Sequence, residues 1–376
     1  MVKIVLHAGM HKTGSNSIQD VFATLDSPQF QYGAGNANNL SWAFKTMFTP
    51  EKKMERRFQH VSQGHDLDSL LVKKAEWRAR NDTILRNCRK PMALFSAEAI
   101  SGMKSDAQSD MHAYLSKYSD DIHVFAYVRA PLSMMQSSYQ QRLKSTGKYQ
   151  LRAKIVWPKY RQRLGSLFDH FGTENVHLRR FDPAAFPQGD VVRDFADWIK
   201  VSLPSNYCPA HANLSLSLEA VALLYVQRRF GRGYVRGFKW ASQKNHAFLA
   251  LLAQIGQTKF AFSAELMQPV VDQNLDDLAW IERKLGGPLL DELPSAGTGI
   301  SDEDELINIA LRVSPQLALL EGDQAPGEAS GSVEALAVRL DRLRAEVAER
   351  HTVTVENPTK LLRFGVNRLT KMFIRR

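Results

Sequence analysis

The stretch KIVLHAGMHKTGSNSIQ, Lys3 to Gln19, constrains the fold more than any other. Val2 to His7 is rich in β-formers and lacks a clean alternation, which predicts a strand covered on both faces. Ile18, Val21, Phe22 and Leu25 then fall at i, i+3, i+4 and i+7, one face of a helix. Between them Gly9 and Gly14 stand at the G-x-x-x-x-G spacing of a phosphate-binding loop. The expected lysine is displaced, however. Ser15 follows Gly14, and the lysine is Lys12, two residues before it.

A strand that runs through a glycine turn into a helix aims free N–H groups and a positive dipole end at whatever the turn holds. Gly9 and Gly14 allow close approach of the backbone, and the N–H groups from Thr13 to Ser17 can wrap an oxyanion. Thr13, Ser15 and Ser17 add hydroxyls. Lys12 stands at the rim, where it can meet an oxygen that gains charge as a bond breaks. An ordinary glycine turn ahead of a helix is the alternative at this point.

Further strands are expected at Met92–Phe95, Ile122–Val128 and Val176–Phe181. Residues 26–90 carry no strong strand pattern and are expected to be a mostly helical insertion. From Val191 on, helical patterns dominate. Strands alternating with helices predict an α/β fold with a doubly wound parallel sheet. We expect one domain over 1–295, a linker-like segment over 296–332 and a helical extension over 333–376. In that extension Val333, Leu336, Leu340, Leu343 and Val347 form a short apolar seam, as in a helix docked on its own domain or a coiled coil. The tail from Asn357 to Arg376 is basic and amphipathic. It suits either an anionic membrane surface or packing on the protein.

A formal charge of +10 indicates an anionic partner, without choosing among nucleotide, nucleic acid, acidic glycan and membrane. The two cysteines, Cys88 and Cys208, give neither a metal spacing nor a disulfide framework. A reducing, cytoplasmic setting is expected. His7 and His11 are spaced H-x-x-x-H, but they straddle a strand end and a turn, so no metal site is expected. The basic, glycine-rich RRFGRGYVRGFK (Arg228 to Lys239) fits a loop over an anionic ligand, RNA recognition or a solvated connection. Arg232 and Arg236 are its candidate contacts.

The third strand ends in YVRAPLSMMQSSYQQRLK, with Arg129 where a nucleotide hydrolase usually places a magnesium-binding aspartate. Ser137 follows eight residues on, two turns into the next helix. An arginine fork and a neutral hydroxyl can grip a second phosphate, although a structural salt bridge is the plainer use of Arg129. Together HKTGSNS and YVRAPLSMMQSSY resemble the two cofactor motifs of the sulfotransferases that use 3′-phosphoadenosine 5′-phosphosulfate. RRFDP, NLSLSLEAVALL and DQNLDDLAWIERKLG resemble that family's bacterial and carbohydrate-acting branch, and the likeness covers roughly residues 1–290.

The resemblance implies a P-loop NTPase-like three-layer fold, a central parallel sheet flanked by helices. It implies that Lys12 stabilises the leaving phosphate. Thr13, Gly14, Ser15, Asn16 and Ser17 would bind the 5′-phosphosulfate, and Arg129 and Ser137 the 3′-phosphate. Asn16 departs from the pattern, since a second hydroxyl residue is common there. The donor would be 3′-phosphoadenosine 5′-phosphosulfate, with no metal. The acceptor would be a hydroxyl of a carbohydrate or glycolipid, rather than nucleic acid.

Such a transfer needs a base. Glu98, just after the second expected strand, is the first candidate, with His11 and then His7 as alternatives. The rivals are a P-loop small-molecule kinase and a non-catalytic protein that binds an anionic glycan or membrane.

Overall fold

The computed structural model describes residues 2–35, 37–58, 66–145, 151, 156–209, 215–232, 239–295, 297–322 and 327–356. The chain divides into two compact units. One comprises Met1–Met135, Trp157–Asn213 and Val270–Glu292; the other Gln136–Val156, Leu214–Pro269 and Leu293–Arg376.

The first unit is an α/β fold around a five-stranded, wholly parallel sheet in the order β2-β3-β1-β4-β5. The strands are β1 (Lys3–His7), β2 (Phe30–Tyr32), β3 (Met92–Ser96), β4 (Ile122–Val128) and β5 (Val176–Arg180). The flanking helices are α1 (Ser15–Thr24), α2 (Ser41–Phe48), α3 (Glu51–Phe58), α4 (Leu67–Asn87), α5 (Ser105–Leu115), α7 (Tyr160–Phe171), α8 (Val191–Ile199) and α12 (Leu275–Leu285). The helix α6 (Pro131–Ser145) begins here and continues into the other unit.

The three inner strands, β1, β3 and β4, coincide with mainly apolar runs, as a doubly covered parallel sheet requires, whereas the edge strand β5 is VHLRR with only Val176 buried. On one face Val5, Leu94, Phe125 and Tyr127 pack with Ile18 and Phe22 of α1 and Val192 and Phe195 of α8. Phe22 and Phe195 are fully buried, each stabilising the fold by roughly 1.5–3 kcal/mol. On the opposite face Phe95 meets Phe44 of α2, with ring centroids 5.7 Å apart.

Within 26–90, where the sequence shows no strong strand pattern, lies one short strand, β2. It is only FQY, and three residues are too few to show a period of two. The rest of that region is helical, in α2, α3 and α4.

The second unit holds α9 (Leu218–Phe230), α10 (Lys239–Leu252), α11 (Ala264–Asp272, which runs on into the first unit), α13 (Glu303–Val313), α14 (Leu317–Glu321) and α15 (Val333–Glu356). The reading of 296–332 as linker is corrected here. Leu306, Ala310 and Val313 bury one face of α13, whose N-terminus Asp302 caps by accepting from the Glu305 N–H. Of the apolar seam, Leu336, Leu340 and Leu343 are buried, and α15 packs on α9 and α10. The seam is therefore a docked helix.

Arg228 is fully buried, not solvated: Nε donates to the Leu143 carbonyl at 3.1 Å and Nη2 to Asn245 Oδ1 at 2.6 Å. Arg232 donates its backbone N–H to Asp341 of α15 at 2.7 Å. Arg236 and the tail from Asn357 to Arg376 lie outside the described residues. No helix among the described residues is long and apolar enough to cross a membrane.

Candidate active site

In a parallel sheet the ligand-binding crevice opens at the carboxyl ends of the strands. Here those ends carry His7 and the glycine loop on β1, Glu98 just beyond β3, and Arg129 just beyond β4. The loop extends the ladder before it turns. Ala8 N–H donates to the Phe125 carbonyl (2.8 Å), Tyr127 N–H to Gly9 (2.7 Å), and Met10 N–H to Tyr127 (3.0 Å).

Glycine is required at two points of this loop. Gly9 has φ 93°, and a Cβ there would stand 3.0 Å from the Glu98 carbonyl oxygen and 3.1 Å from its Cα. Gly14 has φ 72°, and its Cβ would come 2.7 Å from Val191 Cγ1. Lys12, at φ 68°, is itself left-handed, so the turn reverses sharply before α1 begins. Gly14 supplies no side-chain cap, and the first turn of α1 holds no acid. The helix therefore presents an unneutralised N-terminus.

Two hydroxyls expected to face a ligand are turned inward. Thr13 Oγ1 donates to the Met10 carbonyl at 2.6 Å and Ser15 Oγ to the same oxygen at 3.1 Å. They brace the loop, which leaves its backbone N–H groups as the principal anion donors. Asn16 is exposed and Ser17 half-buried on the first turn. Asn16 thus offers its backbone where its side chain departs from the resemblance.

Lys12 and Arg129 converge. Arg129 Nη1 donates to the Lys12 carbonyl at 2.9 Å and Nε to Ser133 Oγ at 3.2 Å, with the guanidinium 5.7 Å from the centroid of the Phe181 ring. Tyr160 Oη donates to the Arg129 carbonyl at 2.7 Å. Burial and the neighbouring Arg129 charge push the Lys12 ammonium below its usual range, against the pull of Glu98. Burial also lowers Arg129, opposed by Asp291. Two half-desolvated cations beside an uncapped helix end make a place where an oxyanion is favoured. Ser137 is half-buried on α6 and belongs to the second unit.

Glu98 opens a 3-10 turn, Glu98–Gly102, that is tied to the loop by Ala97 N–H on the His7 carbonyl (2.9 Å) and Ser101 N–H on Ala8 (3.3 Å). Its carboxylate Oε2 lies 3.1 Å from His11 Nδ1. Burial by itself would raise this carboxyl. The hydrogen bond and charge of His11 and a hydrogen bond from Asn39 outweigh it and hold the group below the usual carboxylate range. Asn39 was not expected from the sequence. It reaches Glu98 from the segment between β2 and α2, a contact no local spacing reveals. His7 is fully buried, shares a 2.7 Å hydrogen bond with Ser96 Oγ, and is pushed down to about 4 by burial against the opposing charge of Glu98. It sits beneath the loop as a neutral ring.

Among the described residues no group of three or more His, Cys, Asp or Glu could hold a metal ion. No protein-family model matches the sequence, and no curated protein matches it. Among solved structures the chain is similar to a sulfotransferase from Alicyclobacillus acidocaldarius. The two share 12% identity over 77% of this chain and 98% of that one, with a TM-score of 0.36.

Proposed function

We propose that the chain is a sulfotransferase that moves a sulfuryl group from 3′-phosphoadenosine 5′-phosphosulfate to a hydroxyl of a carbohydrate or glycolipid. The observation that carries this reading is the meeting of Lys12 and Arg129 at the loop. A kinase-type loop would put its lysine after Gly14 and a metal-holding carboxylate at the end of β4; this chain has Ser15 and Arg129 there. Its positive charge comes from side chains where a nucleotide hydrolase relies on magnesium.

The residues present fit an anionic donor: a glycine cradle that a Cβ would fill, an uncapped helix N-terminus, and two cations. The donor supplies the sulfuryl group. The N–H groups of the first turn of α1 hold the phosphosulfate end, and Lys12 meets the charge that develops on the departing phosphate. Arg129 serves the 3′-phosphate. The proton of the acceptor hydroxyl goes to the Glu98–His11 pair at the mouth of the loop.

Calorimetric titration with 3′-phosphoadenosine 5′-phosphate, without magnesium, tests the reading. We expect micromolar binding that weakens about tenfold or more in Arg129→Ala, the cost of losing a charged hydrogen-bonding partner. Absence of binding alongside tight binding of magnesium-ATP would replace this reading with the kinase one. An acceptor screen giving turnover only with small phenols would remove the carbohydrate assignment.

A further inference from the structure

The residue at the loop's mouth that faces outward is His11, not Glu98. Its side chain is 44% exposed against 23% for Glu98. Among the described residues Glu98 is the one partner of the His11 ring, and it meets Nδ1. Glu98 is held from the other side by Asn39, whose own orientation is fixed because its Oδ1 accepts the Ser41 N–H at 2.9 Å. That leaves the Asn39 amide nitrogen to donate to the Glu98 carboxylate. Gly9 seats the loop directly against the Glu98 backbone, so packing holds close together the two stretches of backbone that carry the ring and the carboxylate.

An ionised carboxylate only accepts hydrogen bonds. Paired with it, the neutral imidazole carries its hydrogen on Nδ1, and the lone pair stands on Nε2, the nitrogen turned away from Glu98. We infer that His11 Nε2 takes the proton of the acceptor hydroxyl, and that Glu98 and Asn39 are positioning residues that fix the tautomer and direction of the ring. This rests on the sulfuryl-transfer reading. In the step, the acceptor oxygen forms its bond to sulfur as the sulfur–oxygen bond to the phosphate breaks. The electron pair goes to the phosphate oxygen beside Lys12, and the proton goes to Nε2. The imidazolium that forms lies against the Glu98 carboxylate, which stabilises it. Lys12 and His7 are the other titratable groups that meet the Glu98 charge, and Arg129 stands beside Lys12. His7 is buried and neutral.

The test needs no identified acceptor. Release of 3′-phosphoadenosine 5′-phosphate from the donor, with water as acceptor, is followed against pH in the full chain. Calorimetric binding of the same nucleotide reports on folding and donor affinity. His11→Asn is expected to lower the rate about a hundredfold or more. Glu98→Gln should lower it about tenfold, because the carboxylate no longer stabilises the imidazolium. Asn39→Ala should fall between wild type and Glu98→Gln. All three should bind the nucleotide as wild type does.

Turnover that survives in His11→Asn and vanishes in Glu98→Gln would make Glu98 the base and overturn the inference. Unchanged turnover in all three variants, with binding intact, would overturn it and leave the donor reading standing. A wild type that does not bind the nucleotide would remove both. Nitrogen-15 NMR of the histidines gives a readout independent of turnover. The inference requires the Nδ1–H tautomer of His11 in wild type and its loss of preference in Glu98→Gln. An Nε2–H tautomer in wild type contradicts it.

Discussion

The same sheet holds a histidine–carboxylate pair at each end, and the two are built differently. At the amino ends of the strands, His123 of β4 places Nε2 2.7 Å from Asp121 and Nδ1 2.9 Å from His177 Nε2 of β5. Both ring nitrogens are engaged. At the carboxyl ends, His11 engages Nδ1 with Glu98 and no other described residue meets its ring. The first ring ties two strands together and has no nitrogen left for chemistry. The second keeps one nitrogen for a partner that the described residues do not provide. Residue type and charge partner are alike, so the distinction lies in how many hydrogen-bonding atoms the fold has already used.

The sharpest way to break this comparison is to make the same substitution at both ends. His11→Asn should remove about a hundredfold or more of donor turnover. His123→Asn should leave turnover within about twofold. Equal losses would mean that both act through stability.

A second measurement concerns pH. His7 has an ordinary value of 6.5 and is pushed to about 4 by burial in the folded chain. Between those values the unfolded chain binds a proton that the folded chain refuses, so stability is highest above pH 6.5 and declines as the pH falls toward 4. The loss approaches about 3 kcal/mol. Urea unfolding at stepped pH should show this slope, and His7→Gln should flatten it. An unflattened slope would place the effect elsewhere, His177 being a weaker contributor of the same sign.

Third, Gly14→Ala must hold a side chain at φ 72° against Val191. It should cost about 1–3 kcal/mol and a measurable drop in melting temperature. An unchanged melting temperature would show that the loop relaxes freely. The smallest effect belongs to Asp121→Asn. That pair is partly exposed, with side-chain exposures of 21% for His123 and 54% for Asp121, and its loss should cost under about 1 kcal/mol.

The strands that carry the site were legible because doubly buried parallel strands are continuous apolar runs with functional residues just past their ends. Lys12, Glu98 and Arg129 all stand at such ends. β2 was not legible, since three residues with one fully buried side chain give no pattern. Nor were α13 and α14, whose apolar steps are short and lie between Gly-, Pro- and acid-rich stretches. At the site, sequence could supply residue types but not directions. Thr13 and Ser15 are hydroxyls beside an anion loop, yet both donate to one carbonyl of that loop. Asn39 lies 59 positions before Glu98, and only the packed insertion brings it there.

The loop grows from β1, the middle strand of five, and its first residues stay hydrogen-bonded to β4. Ordering a backbone residue costs about 1–2 kcal/mol of conformational entropy. For Ala8, Gly9 and Met10 that cost is met when the sheet forms, not when a ligand arrives. A small anion bound here should therefore gain little protection from amide exchange at these residues, because they are already rigid. Its affinity should instead come from charge, and should fall steeply as salt is added.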